Sequence, residues 1–286
     1  MVDTLDLEIY GNFVNEENLA LDIRTFDLEI LKKYGCIINL CGSSSVRSCE
    51  CNIEDVFANN VFPLVRMLPF LKDKIFINAS SSSVYGAAFK GRAREEDDLK
   101  SSINYYDFYK KFNDEILKLS GIPHYYSLRF GTVCGGSPNL RNDIMINAMY
   151  DTYQKEGVVK VYNGKTRRPI LFIRDLCYFV ENIIVLNDVR RAGIYNLASF
   201  NSTSYDIAKK TASHLQCDLI DCDKDKISNV KMSTSSYDFW VDTSKLHMEF
   251  DFVSKHGVVE ILEDLENYDI LNRDNRNQKI GRTHVL

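Results

Sequence analysis

The sequence predicts an α/β fold built on a parallel sheet, and three observations carry that prediction. Short apolar runs alternate with longer stretches whose apolar residues recur at helical spacing, the pattern of strand and helix units joined by right-handed crossovers. Four consecutive serines, Ser80 to Ser83, close one apolar run, at the sheet edge where open α/β proteins collect their ligands. After residue 131 the alternation becomes irregular, which marks a second portion. The expected boundaries are 1–131 for a sheet-building portion, 132–271 for a mixed portion, and 272–286 for a polar, loosely ordered tail.

Residues 16–34 carry amphipathic spacing and are expected to be a helix. The apolar run 36–41 is a strand, and 53–71 a second amphipathic helix. Lys74 to Ala79 forms a short buried strand that runs into the serines, and 104–120 follows as a helix. Strands are expected at 123–129, 157–162 and 170–173, and helices near 142–155, 174–187, 204–215 and 257–269.

Two residues of the 104–120 helix bear on chemistry. Tyr106 and Lys110 are four apart and share one face. A serine hydroxyl, a tyrosine and a lysine meeting at a strand end suit proton transfer coupled to hydride chemistry. Tyrosine ionises near pH 10, so a base working near pH 7 needs a shift of about three units, roughly 4 kcal/mol of phenolate stabilisation. A lysine one turn away supplies part of it, and a bound cationic nicotinamide would supply more. The pair alone has little weight, because sixteen Tyr and thirty-five Lys plus Arg give roughly two such spacings by chance, mostly solvated helix decoration.

The wider pattern resembles the extended short-chain dehydrogenase/reductases, in the branch of nucleotide-sugar epimerases, reductases and dehydratases. The stretch Ser80-Ser81-Ser82-Ser83-Val84-Tyr85-Gly86 matches the segment that carries the family's catalytic Ser or Thr, which falls on Ser81. The family's Y-x-x-x-K falls on Tyr106 and Lys110, 25 residues after Ser81 as in UDP-galactose 4-epimerase-like members. Cys36 to Gly42, Asn59-Asn60-Val61, Leu128 to Gly135, Arg168 to Asp175, Gly193 to Leu197 and Val241 to Leu246 match further family segments in family order. The resemblance implies a Rossmann-like sheet with a smaller C-terminal substrate-binding lobe, and NAD or NADP as cofactor. It implies catalytic roles for Ser81, Tyr106 and Lys110, and cofactor contacts from Asn12, Cys41, Gly42, Asn60, Tyr106 and Lys110. Ser82, Thr132, Asn147 and Arg168 fall on substrate positions, Arg168 being the expected diphosphate contact because a guanidinium pairs with phosphate oxygens bidentately. Arg129 is expected to be a structural residue of its strand. A dimer through the helices at 53–71 and 104–120 is also implied, with Phe62, Leu64, Phe70, Phe108 and Phe112 as its surface.

Three departures from the family pattern shape the expectation. Dehydratases carry Asp-Glu after the catalytic residue, where this chain has Ser82-Ser83, which favours an epimerase or reductase. Tyr109 replaces a small residue before the lysine and is expected to crowd the cofactor. No Gly-x-x-Gly-x-x-Gly or Gly-x-Gly-x-x-Gly occurs in the 286 residues. That motif lets a backbone and a helix N-terminus meet the pyrophosphate. Residues 5–10 already resemble the family's third strand, so the sheet is expected to be truncated at its N-terminal side, with that strand sliding in beside 36–41. Cofactor binding is expected to be weak for the same reason.

Composition points to a cytoplasmic globular protein. A net charge of −5 gives no footprint for nucleic acid or an anionic membrane. The N-terminus lacks the basic flank and apolar core of a signal peptide, and no apolar run reaches the roughly 18 residues of a membrane span. The eight cysteines lack structural-zinc spacing, so no metal is expected. Cys36, Cys41, Cys134 and Cys177 are expected to be small buried hydrophobes. The leading expectation is an NAD(P)-dependent nucleotide-sugar epimerase or reductase. The alternative is a catalytically impaired relative that binds a sugar nucleotide or partners a complete homologue.

Overall fold

Four parallel strands form the central sheet of the computed structural model, which describes residues 2–7, 18–50, 52–87, 89–99, 101–138, 140–223 and 237–276. Their order across the sheet is Gly193–Leu197, Tyr125–Phe130, Ile75–Ser81 and Cys36–Asn39. Ile75 to Asn78 are all buried, as expected of a parallel strand covered on both faces. Helix Tyr105–Leu119 makes the crossover from Ile75–Ser81 to Tyr125–Phe130 and packs on both. Asn104 starts it as N-cap, its side chain accepting the Asp107 N–H at 2.9 Å.

A polar ladder crosses this apolar sheet. Asn39 stands opposite Asn78, and Asn78 opposite Ser127. Asn39 Nδ2 donates to Asn78 Oδ1 at 2.9 Å, and Asn78 Nδ2 donates to Ser127 Oγ at 3.2 Å. Ser127 Oγ donates to Asp114 Oδ1 at 2.6 Å, and Arg129 Nε donates to Asp114 Oδ2 at 2.9 Å. Arg129 Nη1 reaches the Tyr85 hydroxyl at 3.0 Å, which donates to Asn196 at 2.7 Å. A one-residue slip of any strand would break this chain, so the ladder pins the register that aligns the strand ends. Arg129 is thereby structural, as the sequence suggests.

The remaining strands form smaller sheets. Arg167–Phe172 lies between Thr132–Cys134 (parallel) and Phe200–Thr203 (antiparallel). Val158–Val161 pairs with Asp218–Asp221, and Gly91–Ala93 with Phe239–Val241. Helices Met145–Glu156, Ser204–Leu215 and Val258–Arg276 share one core, with Ile146, Val159, Ile170, Ile207, Ile261 and Leu262 inside it. Among the described residues no helix is long and apolar enough to cross a membrane.

Several expectations are corrected. Of the proposed 16–34 helix, Asn18–Ala20 is a strand and Leu28–Lys33 a 3-10 helix. The Asp22 carboxylate accepts the Arg24 N–H, and that of Asp27 the Glu29 N–H. Such local bonds compete with a continuous helix. Thr4–Asp6 pairs in parallel with Asn18–Ala20 and not beside 36–41; residues 8–10 and Asn12 lie outside the described residues. The 53–71 helix is divided into Ile53–Asn60, Phe62–Met67 and a 3-10 turn Leu68–Phe70, with Pro63 and Pro69 each opening a new piece. Leu64 is buried, so it drops out of the expected exposed surface, whereas Phe62, Phe108 and Phe112 stay on it. Cys177 is exposed, and Cys36 and Cys41 are only partly buried.

Candidate active site

Ile75–Ser81 delivers its last serines to the C-terminal edge of the sheet, where a 3-10 helix, Ser82–Tyr85, turns the chain away. Ser81 caps that helix: its Oγ accepts the Ser83 N–H at 3.2 Å and donates to Ser83 Oγ at 2.9 Å. Helix Tyr105–Leu119 packs against the same 3-10 helix, which brings Tyr106 to Ser81. The three candidate catalytic residues therefore meet. Burial pushes the Tyr106 phenol above its ordinary range, while hydrogen bonding with Ser81, and more distantly the charge of Arg141, favour its ionisation.

Lys110 Nζ lies 5.9 Å from the centre of the Tyr106 ring and donates to the Ala79 carbonyl at 2.5 Å. This anchor holds the ammonium at the strand end. Burial pulls its pKa down. An ammonium carries three donors, and among the described residues only the bond to Ala79 uses one.

The loop after Cys36–Asn39 is braced by Asn60. Its Oδ1 accepts the Ser43 N–H and its Nδ2 donates to the Ser43 carbonyl, both at 2.9 Å. Gly42 has φ +122°, and a Cβ there would stand 3.1 Å from the Asn60 side chain, so both the conformation and the close approach call for glycine. The Cys41 thiol is bonded to Asn39 Oδ1 and pushed up to about 11 by burial, so it is no nucleophile near neutral pH. Tyr109 is buried against Val56, Val61 and Phe57 between two helices.

The candidate substrate residues separate into kinds. Asn147 is buried and braces backbone, accepting the Gly135 N–H and donating to the Arg141 carbonyl, each at 3.1 Å. Ser82 is buried within the 3-10 helix, and Thr132 is half-buried at the start of its strand. Arg168 is mostly buried, its Nε has no partner among the described residues, and burial lowers its pKa. Arg167, its neighbour, is engaged by Asp238 at 3.0 Å. An unpaired buried guanidinium donor is costly, and an anion would satisfy it.

Sequence reasoning missed Asp107, which is fully buried beside Tyr106. Asp107 Oδ2 accepts from the Tyr237 hydroxyl at 2.7 Å and from Asn104 Nδ2 at 2.8 Å. The Asn104-x-x-Asp107 spacing of a capping box was the only local signal. Tyr237 comes from 130 residues away and left none.

A family model described as NAD dependent epimerase/dehydratase family matches residues 12–198. No curated protein matches the chain in sequence. Among solved structures, UDP-glucuronic acid 4-epimerase from Bacillus cereus, in complex with UDP-glucuronic acid and NAD, is similar with TM-score 0.75 and 19% identity over 90% of this chain and 83% of that one. UDP-glucose 4-epimerase from Bifidobacterium longum, in complex with NAD+ and UDP, has TM-score 0.73 and 16% identity over 90% and 84%. dTDP-glucose 4,6-dehydratase from Bacillus anthracis, in complex with NAD, has TM-score 0.70 and 17% identity over 90% and 80%. At these identities the likeness is one of fold.

Proposed function

Because the chain belongs to the NAD-dependent epimerase/dehydratase family, we infer that it acts on a nucleotide sugar as an epimerase or reductase, with Tyr106 moving the proton of a sugar hydroxyl. The observation that carries this reading is the meeting of Ser81, Tyr106 and Lys110 at the end of Ile75–Ser81. Ser81 holds the reacting oxygen, and Tyr106 takes or returns its proton. Lys110, fixed on Ala79, places positive charge beside the phenol ring and favours the phenolate. The Asp-Glu pair that dehydratases use is replaced by Ser82-Ser83, which disfavours elimination of water.

The partly buried Lys110 ammonium, whose other donors are unused among the described residues, stands at a strand end near Cys41 and fits the nicotinamide and ribose half of NAD. When bound, NAD supplies the hydride acceptor. No glycine-rich motif occurs in these 286 residues to meet the pyrophosphate half; the second reading is a chain that holds a sugar nucleotide without turning it over. Fluorescence titration of this chain with NADH and NADPH is expected to give binding weaker than micromolar. Micromolar binding of either would mean that other residues build a phosphate site. The function itself is tested by incubating the protein with NAD and UDP-glucose or UDP-glucuronic acid and following the sugar by NMR. An unchanged sugar under saturating cofactor would leave the binding reading in its place.

Arg168 is assigned to the diphosphate. Replacing Arg168 with alanine is expected to weaken binding of UDP by about 1.5–3 kcal/mol, the worth of a hydrogen bond to a charged group. Calorimetric titration giving equal affinity in the two proteins would move the phosphate contact to another residue.

A further inference from the structure

Tyr237 and Asp238 are neighbours in sequence, yet each is bound to a different part of the candidate site. The Tyr237 hydroxyl donates to Asp107 Oδ2 at 2.7 Å and accepts from Asn104 Nδ2 at 2.9 Å. Both partners belong to the start of the Tyr105–Leu119 helix, next to Tyr106. Asp238 holds Arg167 instead. Its Oδ1 accepts the Arg167 backbone N–H at 2.9 Å and Nε at 3.0 Å, and its Oδ2 accepts from Nη2 at 3.2 Å. Arg167 directly precedes Arg168 and opens the same strand. Phe239 adds a third contact, its ring lying 5.9 Å from that of Tyr85 in the 3-10 helix that Ser81 caps. Residues 237–239 therefore touch the elements that carry Tyr106, Arg168 and Ser81.

Helix capping alone does not require Tyr237, because Asn104 Oδ1 already accepts the Asp107 N–H. Asp107 is fully buried, so a phenol that reaches it from 130 residues away makes a charge-assisted bond out of water. The paired bonds from Arg167 Nε and Nη2 fix the angle as well as the distance to Asp238. We propose that Tyr237 and Asp238 are positioning residues, a bridge that fixes the helix start beside Tyr106 against the strand that carries Arg168. A nucleotide sugar is held by its diphosphate at one end and reacts at its sugar at the other. The span between Arg168 and Tyr106 must match that length, because a displacement of about 1 Å costs on the order of a hundredfold in rate. A diphosphate seated on Arg168 steadies its strand, and the bridge carries that order to the first turn of the helix.

The proposal rests on the assignments of Tyr106 and Arg168 above, and its test keeps them separate. The probe is UDP, which has a diphosphate and no hexose to reach Tyr106. Saturating UDP is expected to slow amide hydrogen exchange in residues 104–110 of the wild-type protein about fivefold or more, the low end of ordinary coupling between sites. Two variants should lose that protection while calorimetry keeps their UDP affinity within about twofold of wild type. They are Tyr237→Phe, which removes a single oxygen, and Asp238→Ala, which releases Arg167. In both, kcat on UDP-glucose or UDP-glucuronic acid with NAD should fall about tenfold or more at little change in KM. Protection retained in either variant, or absent from the wild type, would overturn the bridge. So would a parallel fall in UDP affinity, the mark of a merely structural role, and so would wild-type kcat in either variant beside an inactive Tyr106→Phe. Wild-type protein that does not bind UDP, or Arg168→Ala that binds it as tightly, would overturn the diphosphate assignment beneath the proposal; an active Tyr106→Phe would overturn that of Tyr106.

Discussion

Tyr106→Phe is expected to lower kcat on a nucleotide sugar by at least about a hundredfold, close to 2.7 kcal/mol of barrier, with little change in substrate affinity. The phenyl ring keeps the packing of the tyrosine, so only the proton-carrying oxygen is lost. The sign of the pH dependence follows from the site. Burial raises the phenol pKa, so the base form grows as pH increases, and kcat/KM for the oxidising direction should rise toward alkaline pH. In the phenylalanine variant that alkaline rise should vanish with the activity. Near-normal turnover in Tyr106→Phe would remove Tyr106 from the mechanism, and Ser81 with Lys110 would then lack a proton carrier between them.

Arg129→Met is expected to destabilise the fold by about 3–5 kcal/mol, the range found when one partner of a buried ion pair is removed. Arg129 and Asp114 are both fully buried, and the guanidinium also binds the Tyr85 hydroxyl. Methionine fills much of the space but leaves the Asp114 carboxylate stranded, with Ser127 as its remaining side-chain donor among the described residues. Urea denaturation should show a lower midpoint at an unchanged slope. The double variant Arg129→Met with Asp114→Leu should regain much of the loss, because replacing a whole buried pair with apolar groups is often neutral. An unchanged midpoint in the single variant would mean that water reaches Asp114, and that the polar ladder does not hold the sheet.

The parts of the site legible in the sequence are those specified by near neighbours. Tyr106 and Lys110 share a face because a helix has 3.6 residues per turn, and the Asn104 cap that starts the helix is two residues away. The serine run was placed at a strand end because Ile75 to Ala79 is an apolar run of strand length. Asp107 was overlooked for the opposite reason. Its carboxylate is bound by Tyr237, which lies far outside its own helix. The surroundings of Tyr109 are not legible locally, because the contacts of a bulky residue one step from the lysine depend on how the helices pack. Here Phe57 and Val61 take it in.

By itself the sequence determined the alternation of strand and helix, the helical pairing of Tyr106 with Lys110, and the arrival of Ser81 at a sheet edge, since each follows from periodicity within a few residues. Only the tertiary structure decided that Thr4–Asp6 pairs with Asn18–Ala20, that Lys110 is tied to Ala79, that Arg168 keeps an unpaired donor among the described residues, and that Asp107 is bound by Tyr237. Strand partners and buried polar contacts depend on which distant segments exclude water together. That selection is made by the packed core as a whole and leaves no periodic trace in the chain.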